Sequence, residues 1–412
     1  MKNNRTFLEK LLDGAEVEWK TLDEVFHLKN GYTPSKGIKE YWENGSIPWF
    51  RMEDIRENGR VLNISLQKVS ESAVKGGKLF PANSIILSTT ATIGEHALVQ
   101  VEHLSNQQLT NFSIKESFLK YLDIKFAFHY FFLIGNQIKK SANFSSLPIV
   151  SLKDLKKIQI PIPPLPVQTE IVKILDALTA LTSELTSELI LRRKQYEYYR
   201  EKLLSEEELG KVGFEWKIVK SLCNDNFWLM PATPEFDDNG NIPYITSKNI
   251  KGGKIDFQNT KYINEYVYQE LSRTRCIIEN DILISMIGTI GEAVIVKKED
   301  LYFYGQNMYV LRLNNELVNH KFFLYYFTAP FILNSLLSKK NSSNQGYLKA
   351  GQIESLKIPI PPLPVQTKIV KILDKFETLT NSITEGLPLA IKQSQKRYEY
   401  YRELLLNFPG RE

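Results

Sequence analysis

Apolar positions along the chain follow two rhythms. Residues 83–101, "NSIILSTTATIGEHALVQV", and 280–297, "NDILISMIGTIGEAVIVK", are short β-branched runs punctuated by glycine. They predict strands joined by tight turns. Residues 119–138, "LKYLDIKFAFHYFFLIGNQI", and 319–337, "NHKFFLYYFTAPFILNSLL", space their aromatics as helices do. Two regions therefore mix strand and helix, and each is expected to be an α+β globular domain.

Between and after them the rhythm changes. From Val167 apolar residues recur at Ile171, Ile174, Leu178, Leu181, Leu185 and Leu189, then at Tyr196, Tyr199 and Leu203. From Val365 they recur at Ile369, Ile372, Phe376, Leu379 and Ile383, then at Tyr398, Tyr401 and Leu405. Steps of three and four mark a coiled-coil seam, with consecutive four-residue steps that resemble a stutter. The first stretch predicts a helix of about 57 Å at ~1.5 Å per residue. The second contains "GLP" at Gly386–Pro388, where proline is expected to kink or restart the helix.

The two halves repeat each other. "IPIPPLPVQTEIVKILD" begins at Ile160 and "IPIPPLPVQTKIVKILD" at Ile358, differing only at Glu170 and Lys368. "VEWKTL" at Val17 returns as "FEWKIV" at Phe214, and "GSIPWFRMEDI" at Gly45 as "GNIPYITSKNI" at Gly240. "TIGE" occurs at Thr92 and Thr289, and "QYEYYREKLL" at Gln195 returns as "RYEYYRELLL" at Arg397. Collinear matches of this kind mean an internal duplication. They divide the chain into a head (1–157), a connector (158–208), a second head (209–356) and a second connector (357–412). The proline run is stiff and extended. It is read as a rigid boundary feeding a helix rather than as an SH3-type ligand. Two related halves are expected to pack about a pseudo-two-fold axis, which makes the helices antiparallel and puts the heads at opposite ends.

Composition narrows the function. The 412 residues carry a net charge of only +5, so attraction to phosphate would have to come from local clusters. The two cysteines, Cys223 and Cys276, are far apart and lack nearby histidines, which argues against a disulfide framework or a structural zinc. The charged start and the shortness of the apolar runs predict a soluble, cytoplasmic protein. No methyltransferase "NPPY/F" motif, no phosphate-binding Walker loop and no His/Cys metal cluster occurs in the sequence. His27, His96, His103, His129 and His320 are scattered and are read as structural or surface residues. "TIGE" is read as a glycine turn rather than an acid–base site for Glu95 and Glu292.

The near-identical connectors, the diverged heads, "QYEYYR" near each helix end and the tetrapeptide repeat "TSELTSEL" at 182–189 together resemble the specificity subunit of type I restriction–modification systems. The likeness covers essentially the whole chain. It is strongest to the subgroup with a "TAEL"-like repeat, here with Ser in place of Ala. The resemblance implies two target recognition domains, each binding one half of a bipartite duplex DNA target. It implies two long helices that set the spacing and bind two modification subunits. Those partners would transfer methyl groups to adenine N6 from S-adenosylmethionine. Restriction subunits would add translocation and cleavage with ATP and Mg2+. No cofactor or catalysis is implied for this chain. Two other readings stay open: the specificity chain of another methylating restriction class, and a coiled-coil adaptor with two protein-binding heads.

Basic and small polar residues are the candidates for DNA contact, since Arg and Lys suit guanine, Asn and Gln suit adenine, and Lys, Ser and Thr suit phosphate. In the first head these are Lys29, Tyr32, Lys36, Arg51, Arg56, Arg60, Lys75, Lys78, Thr89, Thr90, Lys139, Lys140 and Asn143. In the second they are Lys248, Asn249, Lys251, Lys254, Arg273, Arg275, Lys339, Lys340, Asn341 and Gln345. Gln107, Gln306 and Asn307 sit at matched positions and either read bases or order a loop. A partner surface is expected where the helices repeat: Gln168, Arg192, Arg193, Tyr196, Tyr199, Gln366, Arg397, Tyr398 and Tyr401.

Overall fold

The computed structural model describes residues 6–90, 92–142, 150–288, 290–338, 348–382 and 384–410. The chain groups into two units, Met1–Leu185 with Ala390–Glu412, and Thr186–Leu389. Each unit therefore combines one head with a stretch of both helical connectors.

In the first unit a five-stranded sheet runs Phe26–Asn30, Leu109–Ile114, Ser84–Ser88, His96–Val99, Val61–Leu62. Every residue of Ser84–Ser88 is buried, because both faces are covered. Ile85 and Leu87 face a core shared with Phe126 and Phe131 of the helix Ile124–Ala142. Ile86, one step out of phase, joins Phe50, Met52 and Leu62 on the other face. Each such side chain stabilises the fold by roughly 1.5–3 kcal/mol. A smaller sheet places Ile47–Phe50 between Lys68–Val69 and Leu104–Ser105. The turn "TIGE" closes the hairpin between Ser84–Ser88 and His96–Val99. Gly94 has φ +89°, and a Cβ there would lie 2.4 Å from the Gly135 carbonyl oxygen. Only glycine lets the helix approach so closely.

The second unit repeats this plan. Its four-stranded sheet runs Cys223–Leu229, Met308–Leu313, Ile282–Ser285, Ala293–Ile295. A smaller sheet holds Ile242–Thr246 between Lys261–Ile263, antiparallel, and Tyr304–Gln306, parallel. In the first unit Ile47–Phe50 has the same two relationships with its neighbours. The aromatic stretch 319–337 forms two helices, His320–Phe327 and Pro330–Ser338, because proline cannot continue the first.

The repeated motifs meet at the junction of head and helix. Glu18–Thr21 pairs antiparallel with Gln159–Ile162, setting Trp19 opposite Pro161. Glu215–Ile218 pairs with Lys357–Ile360, setting Trp216 opposite Pro359. "EWK" and "IPIP" thus recur together because they are two strands of one ribbon. The central helix follows as Leu165–Leu203, about 58 Å at ~1.5 Å per residue. The second connector forms Leu363–Asn381, breaks, and resumes as Gly386–Leu406. The break falls at "GLP" as expected, with Gly386 at φ +76°.

Within each unit the two helical stretches run antiparallel. In the first, Asp176 and Tyr398 meet on His129, while further along Thr182 Oγ1 lies 2.8 Å from Ser394 Oγ. In the second, the Tyr196 and Tyr199 rings lie 6.2 and 5.6 Å from that of Phe376. The seam is shallower than the sequence pattern suggests. The buried residues of the central helix are Val167, Gln168, Ile171, Val172 and Leu175 at its start, and Leu181 is 39 % exposed.

Candidate nucleic-acid interface

Each head carries one loop of the same design. In the first, Thr33 follows Tyr32 and precedes Pro34, and its hydroxyl donates to Gln107 Oε1. Tyr32 anchors the loop: its carbonyl accepts from Trp49 Nε1 at 3.0 Å, and its hydroxyl donates to the Ala73 carbonyl at 3.1 Å. Trp42 stands edge-on to Trp49 at 5.0 Å, and the Arg51 guanidinium lies 5.4 Å above the Trp49 ring. Arg51 Nε is buried and 3.8 Å from Glu53 Oε2, too far for a hydrogen bond. Lys36, Lys39, Trp42, Glu43, Arg51 and Gln67 line an open cleft here.

In the second head Thr233, also followed by proline, donates to Gln306 Oε1 at 3.5 Å. The Tyr244 hydroxyl donates to the same oxygen at 3.3 Å. Burial pushes that hydroxyl up to about 12, so it keeps its proton. Phe236 stands edge-on to Tyr244 at 5.6 Å, and Lys261 Nζ lies 4.2 Å over Phe236. Both heads thus place a Thr-Pro loop, a glutamine and an aromatic pair topped by a cation on one surface. The chemistry is matched and the residues differ. Cation–π contact holds each charge in place without neutralising it, which leaves it available to an anion.

Other predicted cations project outward. Lys29, Lys36, Arg56, Lys75, Lys78, Lys139, Lys140, Lys248, Arg273 and Arg275 are all exposed. Lys75 Nζ lies 5.0 Å over the Tyr32 ring, and Arg275 donates to the Trp228 carbonyl. Lys251 and Lys254 face each other directly across a two-stranded ribbon, an arrangement that is unfavourable unless an anion joins them. Asn143, Lys339, Lys340, Asn341 and Gln345 lie outside the described residues. Lys39, Gln67 and Lys261 were absent from the sequence-based set. Lysine beside an aromatic run was the available signal for Lys261.

Several candidates prove to be internal. Asn249 is buried, with its oxygen accepting from Thr246 N and Oγ1 and its nitrogen donating to the carbonyls of Asp256 and Asn259. No donor or acceptor is left for a base. Its match in the first head, Asp54, accepts from Arg51 N and Leu66 N in the same way. Thr89 is buried and bonds the Gln108 carbonyl, and the Thr90 hydroxyl is buried without a partner. Arg60 is tied to Glu95 and to the His96 carbonyl. Glu292, the second "TIGE" carboxylate, accepts from Gly252 N at 2.9 Å. Both glutamates therefore hold the framework.

The partner set also divides. Gln168 and Gln366 are fully buried and cannot face a partner. Gln168 accepts from Asp123 N and donates to the carbonyls of Tyr121 and Pro163. Gln366 accepts from Asn319 N and donates to the carbonyls of Leu317 and Pro361. Each clamps the helix start to its head. Arg192 is paired with Glu188 and Gln195 on its own helix. Tyr196 and Tyr398 are half-buried, and Arg193, Tyr199, Arg397 and Tyr401 are exposed. In "QYEYYR" the arginine turns inward: Arg200 donates to the Tyr325 carbonyl, and Arg402 lies 4.6 Å over the Phe132 ring. The middle tyrosines turn outward, Tyr198 at 58 % and Tyr400 at 63 % exposure. The sequence reading did not single these two out.

The model of the type I restriction modification DNA specificity domain matches residues 15–192 and again 213–393. The EcoprrI type I restriction enzyme specificity subunit of Escherichia coli is 43% identical over 395 residues, 92% of either chain. A putative type I restriction enzyme specificity subunit of Haemophilus influenzae is 40% identical over 99% of this chain and all of its own. A solved chain from a type I restriction–modification complex aligns over 95% of this chain and 98% of its own, with a TM-score of 0.62 at 17% identity, a likeness of fold.

Proposed function

Because the chain belongs to the type I restriction–modification DNA specificity family, we propose that it reads a bipartite duplex target, one half with each head, for a methylating and cleaving assembly. The observation that carries this reading is the pair of Thr-Pro loop surfaces, one mouth on each head. One scaffold is used twice, yet the first head presents Trp42, Trp49 and Arg51 and the second presents Phe236, Tyr244 and Lys261, with the cation supplied from a different strand. Related scaffolds with different outward side chains suit two different half-sites. The arrangement also favours this reading over a protein adaptor, since the mouths present positive charge on aromatic platforms, which suits phosphates and bases.

In this reading the exposed lysines neutralise phosphates and fix each head on the duplex. The helices set the gap between half-sites and dock two modification subunits, with the Tyr198 and Tyr400 patches available to them. Methyl transfer from S-adenosylmethionine to adenine and ATP- and Mg2+-dependent cleavage belong to the partner subunits.

The spacing role is tested by lengthening the helix. One more "TSEL" after Leu189 adds about 6 Å and turns the helix by roughly 400°, so the seam stays nearly in register. Base pairs rise ~3.4 Å each. Methylation mapping should show both half-sites unchanged and the gap longer by about one to two base pairs. An unaltered gap would remove the helix as the ruler.

A further inference from the structure

Gln107 and Gln306 occupy matched positions in heads whose other outward residues differ, and each is held by the threonine of a Thr-Pro loop. The threonine hydroxyl takes the amide oxygen. Among the described residues neither Nε2 has a hydrogen-bond partner. Gln107 is exposed and Gln306 half-buried. Thr33, which bonds Gln107, follows the Tyr32 whose carbonyl accepts from Trp49 beneath Arg51, and Tyr244, which bonds Gln306, stands against the Phe236 that Lys261 covers.

A glutamine free at both ends reads adenine by accepting from N6 and donating to N7. With Oε1 engaged by the threonine, and in the second head by Tyr244 as well, the group left without a partner is the donor Nε2. An unpartnered donor fits an acceptor on a base edge. An element repeated unchanged in both heads cannot tell two half-sites apart, so it suits an acceptor that both share. Purine N7 is such an atom, offered in the major groove by adenine and guanine alike.

We propose that Gln107 and Gln306 each donate Nε2–H to a purine N7 at one fixed position in their half-site, and that Thr33 and Thr233 orient them. This rests on the DNA-reading function above. The pair would register each head on its half-site, leaving discrimination to the side chains that differ.

The test is a 7-deazapurine scan of the target, bound by the chain assembled with its modification subunits. The wild type should lose roughly tenfold in affinity at one position in each half-site. Gln107→Ala should bind native DNA about as weakly and become indifferent to 7-deaza substitution at that position in the first half-site only. Gln306→Ala should do the same in the second. Thr33→Val should blunt the 7-deaza effect at the Gln107 position, and Thr33→Ser should restore it. A 7-deaza penalty that persists in Gln107→Ala overturns the proposal. So does a uniform loss accompanied by a shallower salt dependence, which would make the glutamine a phosphate contact. A wild type without bipartite preference would instead sink the function itself.

Discussion

Gln168 Oε1 accepts the backbone N–H of Asp123 at 2.8 Å, and the same bond, at the same length, joins Gln366 to Asn319. Each glutamine also donates to two carbonyls, one in its own proline run and one in its head. This clamp is why the proline run and the helix start recur almost letter for letter: the junction must hold a buried amide in register with three backbone groups.

Gln168→Leu should leave three backbone groups without their partner, the Pro163 carbonyl among them fully buried, and destabilise the first unit by about 1–3 kcal/mol. Gln366→Leu should do so in the second. Hydrogen exchange resolved by segment checks this. Protection should fall around 119–125 in the first variant and around 315–321 in the second. Unchanged exchange in both would mean that the clamp adds nothing.

The two units should differ in acid. Burial, with Arg60 nearby, holds His96 down to about 3, and burial holds His103 down to about 4, against an ordinary value of 6.5. The His96 ring nitrogens lie 3.1 Å from the Phe128 carbonyl oxygen and 3.4 Å from that of Gly94, of which the neutral ring can donate to one, and the ring also feels His129. Folded values below the unfolded ones mean that the unfolded state binds more protons between these limits. The stabilisation is complete above pH 6.5 and is lost as pH falls toward 4 and below. In the second unit His320 is shifted the same way but is only half-buried. Between pH 7 and 4.5 the first unit should therefore lose on the order of a few kcal/mol, more than the second. Exchange measured at both pH values checks it, and equal losses would contradict it.

Lys251 and Lys254 stand opposite each other with no carboxylate bonded to either among the described residues. Replacing both with alanine should weaken duplex binding and lower the slope of log affinity against log salt by about one per lysine. The preferred sequence should stay the same. A changed preference with an unchanged slope would make them base readers.

The duplication, the break at Gly386–Pro388 and the mixed strand-and-helix heads were legible because they are written in periodicity, glycine and proline. Why the motifs recur was not. The pairing of "EWK" with "IPIP" joins segments far apart in sequence, and the burial of Gln168 follows from where the head's backbone turns. Asn249 looked like a base reader because nothing local shows its four hydrogen bonds, although its alignment with Asp54 was visible and pointed to a loop-holding role. Lys261 was overlooked because its place over Phe236 depends on strand pairing between 242–244 and 261–263. Tyr198 and Tyr400 differ from their neighbours only in the face of the helix they occupy, which is set by the inward turn of Arg200 and Arg402.

The most direct measurement of the central claim is a head exchange. Residues 219–356 are replaced by the matching head of a specificity subunit with a different target, leaving both proline runs and both helices intact. The chain is then assembled with its modification subunits, and methylated positions are mapped across genomic DNA. Independent heads on a common frame predict that one half-site becomes that of the donor while the other half-site and the gap stay as they were. A change in both half-sites, or methylation without a bipartite pattern, would contradict the account.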